Sequence, residues 1–325
     1  MVSPNPMVGA VIVKNGQIIG EGYHRSYGEP HAEVNAVNAV VLPADCEGAI
    51  LYVSLEPCSH FGKTPPCSDL LIEKKFSHVV IANRDPFPEV NGKGIEKLKA
   101  AGIKVTTDLL ADEGAHLNRY FLTSVTKKRP YILLKWAESK DGFIDVLRKE
   151  DEKGPNWISS PRSRKIVHQL RSKYDAILVG ANTARIDNPS LTVRDTEGNN
   201  PIRIVIDRDA SLPTNLRIFD DVAPTLIFTE TDSRTEGSNE WISISFDQLI
   251  PDLLQVLHIR KIQRLMVEGG RATLEQFISL NMWDEALKIQ GDIYLKNGLP
   301  SPKLERPISD EFMLNNDTFS TYFNT

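Results

Sequence analysis

His31, Cys58 and Cys67 restrict this chain's folding more than any other residues. They occur as Pro30-His31-Ala32-Glu33 and Pro57-Cys58-x8-Cys67, two segments far apart in sequence that carry one imidazole and two thiols. Three such donors, with the fourth position left to water, are the usual layout of a catalytic zinc. Two residues apart on a regular helix, His31 and Glu33 would point to nearly opposite sides. They converge only at a helix start, with the metal beyond its N-terminal end. Pro30 suits that placement, and Cys67 opens a second helix after Pro65-Pro66. Two helix N-termini would then face one ion and favour thiolate.

In this arrangement Glu33 stands beside the metal without ligating it. Zinc lowers the pKa of bound water to ~7, and a nearby carboxylate can take that proton and pass it to a departing amine. This is the H-x-E…P-C-x-x-C pattern of zinc deaminases, except that eight residues, not two, separate the cysteines. A structural zinc, or packed side chains and no metal, are the competing readings. A closed structural site takes four protein ligands, and the remaining cysteine, Cys46, lies in a turn-like Ala-Asp-Cys-Glu-Gly and reads as a bystander. His24 and His60 read equally as substrate contacts or as surface residues.

The 325 residues are enough for two domains of ordinary size. Apolar runs such as 8–13 and 176–179 are strand-sized, too short to span a bilayer, and the N-terminus lacks a signal-peptide pattern. A net charge of −5 argues against a nucleic-acid partner. An odd count of three cysteines without an export signal fits a reducing cytoplasm. Small anionic metabolites need only one or two Arg or Lys, so they remain the expected ligands.

Asn15-Gly16 between apolar runs signals a hairpin of strands 7–13 and 17–24. A helix is expected over 31–41, a strand over 49–55, a helix over 67–76 and a strand over 79–83. Helix 94–101, strand 104–110 and a closing helix 111–127 follow. This alternation indicates an α/β sandwich with a mixed sheet. Lys127-Lys128-Arg129-Pro130 is a charged break, and it places the domain boundary between a first domain, 1–127, and a second, 130–325. The second alternates again: strand 131–136, helix 161–173, strands 176–179, 202–207 and 225–228, helix 248–259, strand 264–267, helix 272–280 and strand 285–294. Stretches 145–154 and 229–239 read as surface loops, and 309–325 gives little to read.

Pro57-Cys58-Ser59-His60-Phe61-Gly62-Lys63-Thr64-Pro65-Pro66-Cys67 resembles the P-C-x-H-x-G-x-T-P-P-C segment of the bifunctional deaminase–reductases of bacterial riboflavin biosynthesis. Ser3-Pro4-Asn5-Pro6-x-Val8-Gly9, Gly20-Glu21-Gly22-Tyr23-His24, Gly28-Glu29-Pro30-His31-Ala32-Glu33, and Asp85-Pro86 followed by Gly92-x-Gly94 resemble the same family, in the same order. The resemblance implies a cytidine-deaminase-like fold for the first domain. It also implies zinc on His31, Cys58 and Cys67, Glu33 as proton shuttle, and substrate contacts at Asn5, His24, His60 and Lys63. The implied reaction is hydrolysis of the 2-amino group of 2,5-diamino-6-(5-phosphoribosylamino)pyrimidin-4-one.

The second domain resembles the family's reductase half, whose fold is similar to dihydrofolate reductase. The resemblance is carried by Lys135-Trp136-Ala137-Glu138-Ser139-Lys140-Asp141-Gly142, Trp157-Ile158-Ser159-Ser160, the stretch from Asp175 through Thr183 and Asp187 to Arg194, residues 201–207, and Val267-Glu268-Gly269-Gly270-x2-Thr273-Leu274. It implies NADPH at Ala137, Trp157, Thr183, Asp187, Gly270, Arg271, Ala272, Thr273 and Leu274. It implies substrate at Lys135, Arg171, Leu191, Arg194 and Glu268. The implied reaction reduces the ribosyl C1 of the deaminated product to a ribityl chain. Without the resemblance, Glu268-Gly269-Gly270 between a strand and a helix reads either as a phosphate-facing turn or as a plain one. Arg171, Arg194 and Arg203 read either as phosphate forks or as surface ion pairs.

Family members usually begin with an amphipathic helix ahead of the stretch matching Ser3. This sequence begins at Met1 without it, so one face of the first sheet is expected to lack that cover. The charged stretch 145–156 is longer than the family's loop there and reads as surface variation. Three other functions fit parts of the pattern: a base or nucleoside deaminase, a zinc-stabilised scaffold, and a chain retaining one of the two activities. Glu33 argues against the scaffold, because a structural site has no use for an acid there. The resemblance also suggests a homo-oligomer.

Overall fold

The computed structural model describes residues 3–61, 65–148, 153–194 and 196–324. They form two compact units, 1–129 and 130–325.

The first unit begins with the expected hairpin, β1 (Gly9–Lys14) and β2 (Gln17–Tyr23). Asn15 and Gly16 take φ of 51° and 75°, the left-handed pair that a tight two-residue hairpin demands. Then come α1 (Ala32–Asn38), β3 (Ile50–Leu55), α2 (Cys67–Glu73), β4 (His78–Asn83), α3 (Lys93–Ala100) and β5 (Lys104–Thr106). The sheet order is β2-β1-β3-β4-β5, antiparallel on the hairpin side and parallel from β3 onward. Ala10, Ile12, Leu51 and Val53 pack with Ala36, Leu71 and Leu98 in one core. Gly20 and Gly22 let α1 lie directly on β2: a Cβ at Gly22 would stand 2.3 Å from the Ala36 nitrogen. On the other sheet face Val11, Val13 and Ile50 are half-buried and Tyr52 is 38% exposed.

The closing helix expected over 111–127 is two helices, α4 (Ala111–Leu117) and α5 (Arg119–Lys127). The break is Asn118, whose side chain accepts from Met7 N at 2.8 Å and donates to Met7 O at 3.0 Å. An amide that pairs with remote backbone competes with helix continuation.

The second unit contains β6 (Tyr131–Glu138), β7 (Phe143–Asp145), α6 (Pro161–Arg171), β8 (Ala176–Gly180), α7 (Ala181–Asp187), β9 (Ile202–Ile206) and β10 (Thr225–Thr229). It continues with β11 (Arg234–Glu236), β12 (Asn239–Ser243), α8 (Leu249–Ile259), β13 (Arg264–Val267) and α9 (Arg271–Ser279). It ends with β14 (Glu285–Gln290), β15 (Leu299–Pro300), β16 (Asp310–Leu314) and β17 (Asp317–Phe323). One large sheet runs β11-β12-β10-β9-β8-β13-β6-β14-β17-β16, and β15 pairs with β7 apart from it. From β12 to β14 every pairing is parallel; the two ends are antiparallel.

Two corrections concern stretches read as irregular. Residues 229–239 include β11, and 309–325 include the β16–β17 hairpin, where Phe319 and Tyr322 are buried. Along β6, Ile132, Leu134 and Trp136 enter the core beneath α8 and α9. Leu133 points to the opposite face, and by alternation Lys135 and Ala137 continue on that side. No helix among the described residues is long and apolar enough to cross a membrane.

Candidate active sites of the two units

In the first unit the site lies at the carboxyl ends of parallel β3 and β4, where α/β sheets place ligands. His31 is the N-cap of α1, with extended backbone (φ −69°, ψ 165°), and Glu33 sits in that helix's first turn. Cys58 follows β3, and Cys67 is the first residue of α2. His31 Nδ1 lies 3.3 Å from Cys67 Sγ and 3.6 Å from Cys58 Sγ, and the three donor atoms all fall within 4.8 Å of one another. The Cys67 amide donates to Cys58 Sγ at 3.3 Å, and the Ser68 amide to the Cys58 carbonyl at 3.1 Å.

Those contacts set the charge. A hydrogen bond from Cys67 outweighs burial and holds the Cys58 thiol down at about 4, while the same contact pushes Cys67 up. Glu33 is 3% exposed, and burial followed by the Cys58 charge raises it to about 7. One imidazole and two sulfurs are a donor set suited to zinc. The outer parts are ordered too. His24 Nδ1 donates to the Pro30 carbonyl at 3.1 Å, which leaves Nε2 to accept from the Asn5 amide at 3.0 Å. The His24 ring stands edge-on to His31, centroids 5.5 Å apart. His60 Nε2 lies 3.8 Å from Glu89 Oε2. Lys63 lies outside the described residues.

Two buried acids at this site, Glu56 and Asp85, were not singled out from the sequence as functional. Glu56 accepts four backbone N–H bonds. Asp85 is 7% exposed, and burial raises it to about 6. The available signals were an acid between an apolar strand and Pro57-Cys58 for Glu56, and the family-like Asp85-Pro86 pair for Asp85.

In the second unit a cavity of about 840 Å³ is lined by Lys135, Ala137, Trp157, Arg171, Thr183, Asp187, Leu191, Arg194 and Glu268, together with further basic side chains. A smaller one of about 190 Å³, shared with Thr183 and Asp187, reaches Gly270 and Arg148. Arg171 binds Glu268 bidentately, Nε to Oε1 and Nη2 to Oε2, both at 2.8 Å, and Lys135 Nζ lies 3.7 Å from Oε2. Burial would raise the Glu268 pKa, but the Arg171 and Lys135 charges overcome it and hold the carboxyl at about 2. Leu191 takes φ +52°, an outlier for a bulky residue. Asp187 is raised to about 6 by burial, against the opposing pull of Arg148 4.0 Å away.

All the residues expected at the substrate of this unit line the larger cavity. Of the run 270–274, Gly270 alone lines either of these two cavities. Leu274 is fully buried in the core, Thr273 packs against Gly269, and Arg271 pairs with Glu275. The Gly270 amide donates to Thr183 Oγ1 at 2.9 Å, and a Cβ there would come within 3.0 Å of that oxygen. Arg203 is neither a phosphate fork nor a surface ion pair. Its fully buried side chain binds Asp220 Oδ1 at 2.6 Å and the carbonyls of Arg217, Asp220 and Ala223.

Fold and sites together define an enzyme that joins a zinc-site deaminase to a nucleotide-dependent reductase. Residues 2–83 match the family described as cytidine and deoxycytidylate deaminase zinc-binding region, and 130–290 match the RibD C-terminal domain. The riboflavin biosynthesis protein RibD of Aquifex aeolicus is 42% identical over 303 residues, 89% of this chain and 83% of that protein. The Escherichia coli RibD is 38% identical over 306 residues, 87% and 81% of the two chains. The crystal structure of a diaminohydroxyphosphoribosylaminopyrimidine deaminase/5-amino-6-(5-phosphoribosylamino)uracil reductase from Thermotoga maritima superposes with a TM-score of 0.87. That protein is 36% identical, and the match covers 99% of this chain and 93% of the other. The chain belongs to the RibD family of bifunctional riboflavin biosynthesis enzymes.

Proposed function

We propose that residues 1–127 hydrolyse the 2-amino group of 2,5-diamino-6-(5-phosphoribosylamino)pyrimidin-4-one. Residues 130–325 then reduce the resulting 5-amino-6-(5-phosphoribosylamino)uracil with NADPH. The observation that carries the reading is the convergence of His31, Cys58 and Cys67 beside buried Glu33.

His31 Nδ1 and the two sulfurs would hold zinc, which supplies Lewis-acid activation of the hydrolytic water when bound. Glu33 takes a proton from the attacking water and delivers it to the departing nitrogen, so that a C–O bond replaces the C–N bond and ammonia leaves. His24, Asn5 and His60 form the wall against which the pyrimidine is oriented, with Lys63 as a further contact.

In the reductase unit, NADPH when bound would supply the hydride for reduction at the ribosyl C1, the ring C1–O bond being exchanged for C–H and O–H bonds. Lys153, Arg164, Arg185, Arg194 and Arg217 line the larger cavity with no carboxylate within 4 Å among the described residues. Unpaired cations around a cavity favour anions, as both the phosphoribosyl substrate and the dinucleotide are. Lys135, Arg171 and Glu268 form a rigid charged wall for orienting substrate. Ala137, Trp157, Thr183, Asp187 and Gly270 would hold the cofactor, with residues 271–274 contributing through the start of α9. We place the enzyme in the cytoplasm, as a homo-oligomer without nucleic-acid or membrane partners.

Mass spectrometry of the diaminopyrimidine phosphoriboside incubated with protein, zinc and NADPH tests the whole reading. The expected product shows amino-to-oxo exchange and a gain of two hydrogens. Recovery of unchanged substrate would overturn the deaminase assignment. Exchange without hydrogen gain would overturn the reductase assignment.

A further inference from the structure

We infer that Glu56 is a positioning residue that locks the loop between β4 and α3 onto the metal-ligand turn, fixing one wall of the deaminase site. The inference rests on the deaminase reading of the first unit. Glu56 immediately follows β3, two residues before Cys58, and is 4% exposed. Its Oε2 accepts from the amides of Asp85 at 3.3 Å and Gly92 at 3.0 Å, and its Oε1 from Gly94 at 3.0 Å and Ile95 at 3.2 Å. A carboxylate has about four acceptor positions, so the side chain is committed to backbone and has nothing left to offer a substrate.

The pattern is that of a helix cap supplied from a distance. Gly92, the N-cap of α3, has no side chain to cap with, and the amides of the first turn lack intrahelical acceptors. Glu56 fills that role and places a negative charge at the positive end of the helix. Close packing supports the bond set: a Cβ at Gly94 would sit 2.1 Å from the Pro57 carbonyl. On its far side the loop meets the ligand turn again, with Glu89 against His60 and the Phe87 ring 6.4 Å from the His60 ring. Asp85, buried between these anchors, is thereby held near Cys58.

The zinc-loaded full-length chain carrying Glu56→Gln tests this, because an amide supplies one acceptor oxygen and sets an NH2 against the remaining N–H donors. Hydrogen exchange at Gly92, Gly94 and Ile95 should speed up by about tenfold or more while Leu51 and Val79 stay protected. Zinc content should be unchanged. The KM for deamination should rise about tenfold with kcat within about threefold, the signature of lost ground-state and transition-state binding together. Gly94→Ala keeps the carboxylate but forces the loop off Pro57, and should reproduce the KM effect. Unchanged exchange at those three amides, or zinc and kcat lost together with global protection, would overturn the inference. Wild-type protein that binds zinc without deaminating would instead overturn the underlying reading, and the exchange data would still decide whether Glu56 anchors the loop.

Discussion

Arg171 and Glu268 meet through two parallel 2.8 Å hydrogen bonds inside the reductase cavity, with Lys135 on the second carboxylate oxygen. Because Glu268 is only 8% exposed in its side chain, its charge is stable there only while both cations remain.

That arrangement gives a pH dependence of definite sign. The folded carboxyl titrates at about 2, below its ordinary value of 4.5. Its contribution is therefore complete above about pH 4.5 and is lost as pH falls toward 2, on the order of 3 kcal/mol in all. Urea denaturation of the wild type should show reductase-unit stability declining across that window. Glu268→Gln should be less stable at pH 7, by about 3–5 kcal/mol for an uncompensated charge pair, and should decline less on acidification. An equal acid response in both proteins would contradict the assignment.

Glu33→Gln should keep zinc and lose deamination by about 10²- to 10⁴-fold, the range for a positioned proton-transfer group. Reduction of separately supplied deaminated substrate should be unaffected. Steady-state kinetics of the two half-reactions with metal analysis decides it. Substantial residual deamination would remove Glu33 from the proton path.

Cys58→Ser should bind little zinc and lose deamination, and chelation of the wild-type protein should have the same effect. A ligand held at about 1,000 times its Kd stabilises the folded unit by about 4 kcal/mol. Calorimetry should therefore show the first unit melting earlier after chelation, with the second unit's transition unmoved. A coincident shift of both transitions would contradict independent units.

Asp317, 2% exposed on β17, accepts from the Ser160 amide at 2.8 Å. Ser160 is the N-cap of α6, which carries Arg164 and Arg171 into the cavity, and Trp157 lies just before it. Asp317→Ala should cost about 1–3 kcal/mol by leaving that amide unpaired. NADPH titration followed by tryptophan fluorescence should show weaker binding, and unaltered affinity would exclude a link from the C-terminal hairpin to the cavity.

The metal cluster was legible from its three donors and the helix-start placement of His31, together with the family-like segment that accounts for the eight-residue gap between the cysteines. The hairpin at Asn15-Gly16 was equally legible from its turn chemistry. What escaped were features settled by remote partners. Asn118 looks helical until its amide meets Met7. Glu56 looks like an ordinary residue after a strand until four amides converge on it. Strand β16 is exposed along most of its length, so it lacks the alternation of burial that marks a half-buried strand. Arg203 resembles any other arginine in sequence, and only the carbonyls around it reveal a buried structural role.

The position of β13 in the large sheet bears on how the chain is made. β13 lies between β6 and β8 although it follows both by many residues. The first unit has every strand it needs once residue 129 has been synthesised. The second cannot join its two halves until Arg264–Val267 leaves the ribosome. Strands β6 and β8 therefore wait with open edges through much of translation, the state in which unpaired strands are most prone to aggregate. Chaperone demand during synthesis should fall on the reductase half.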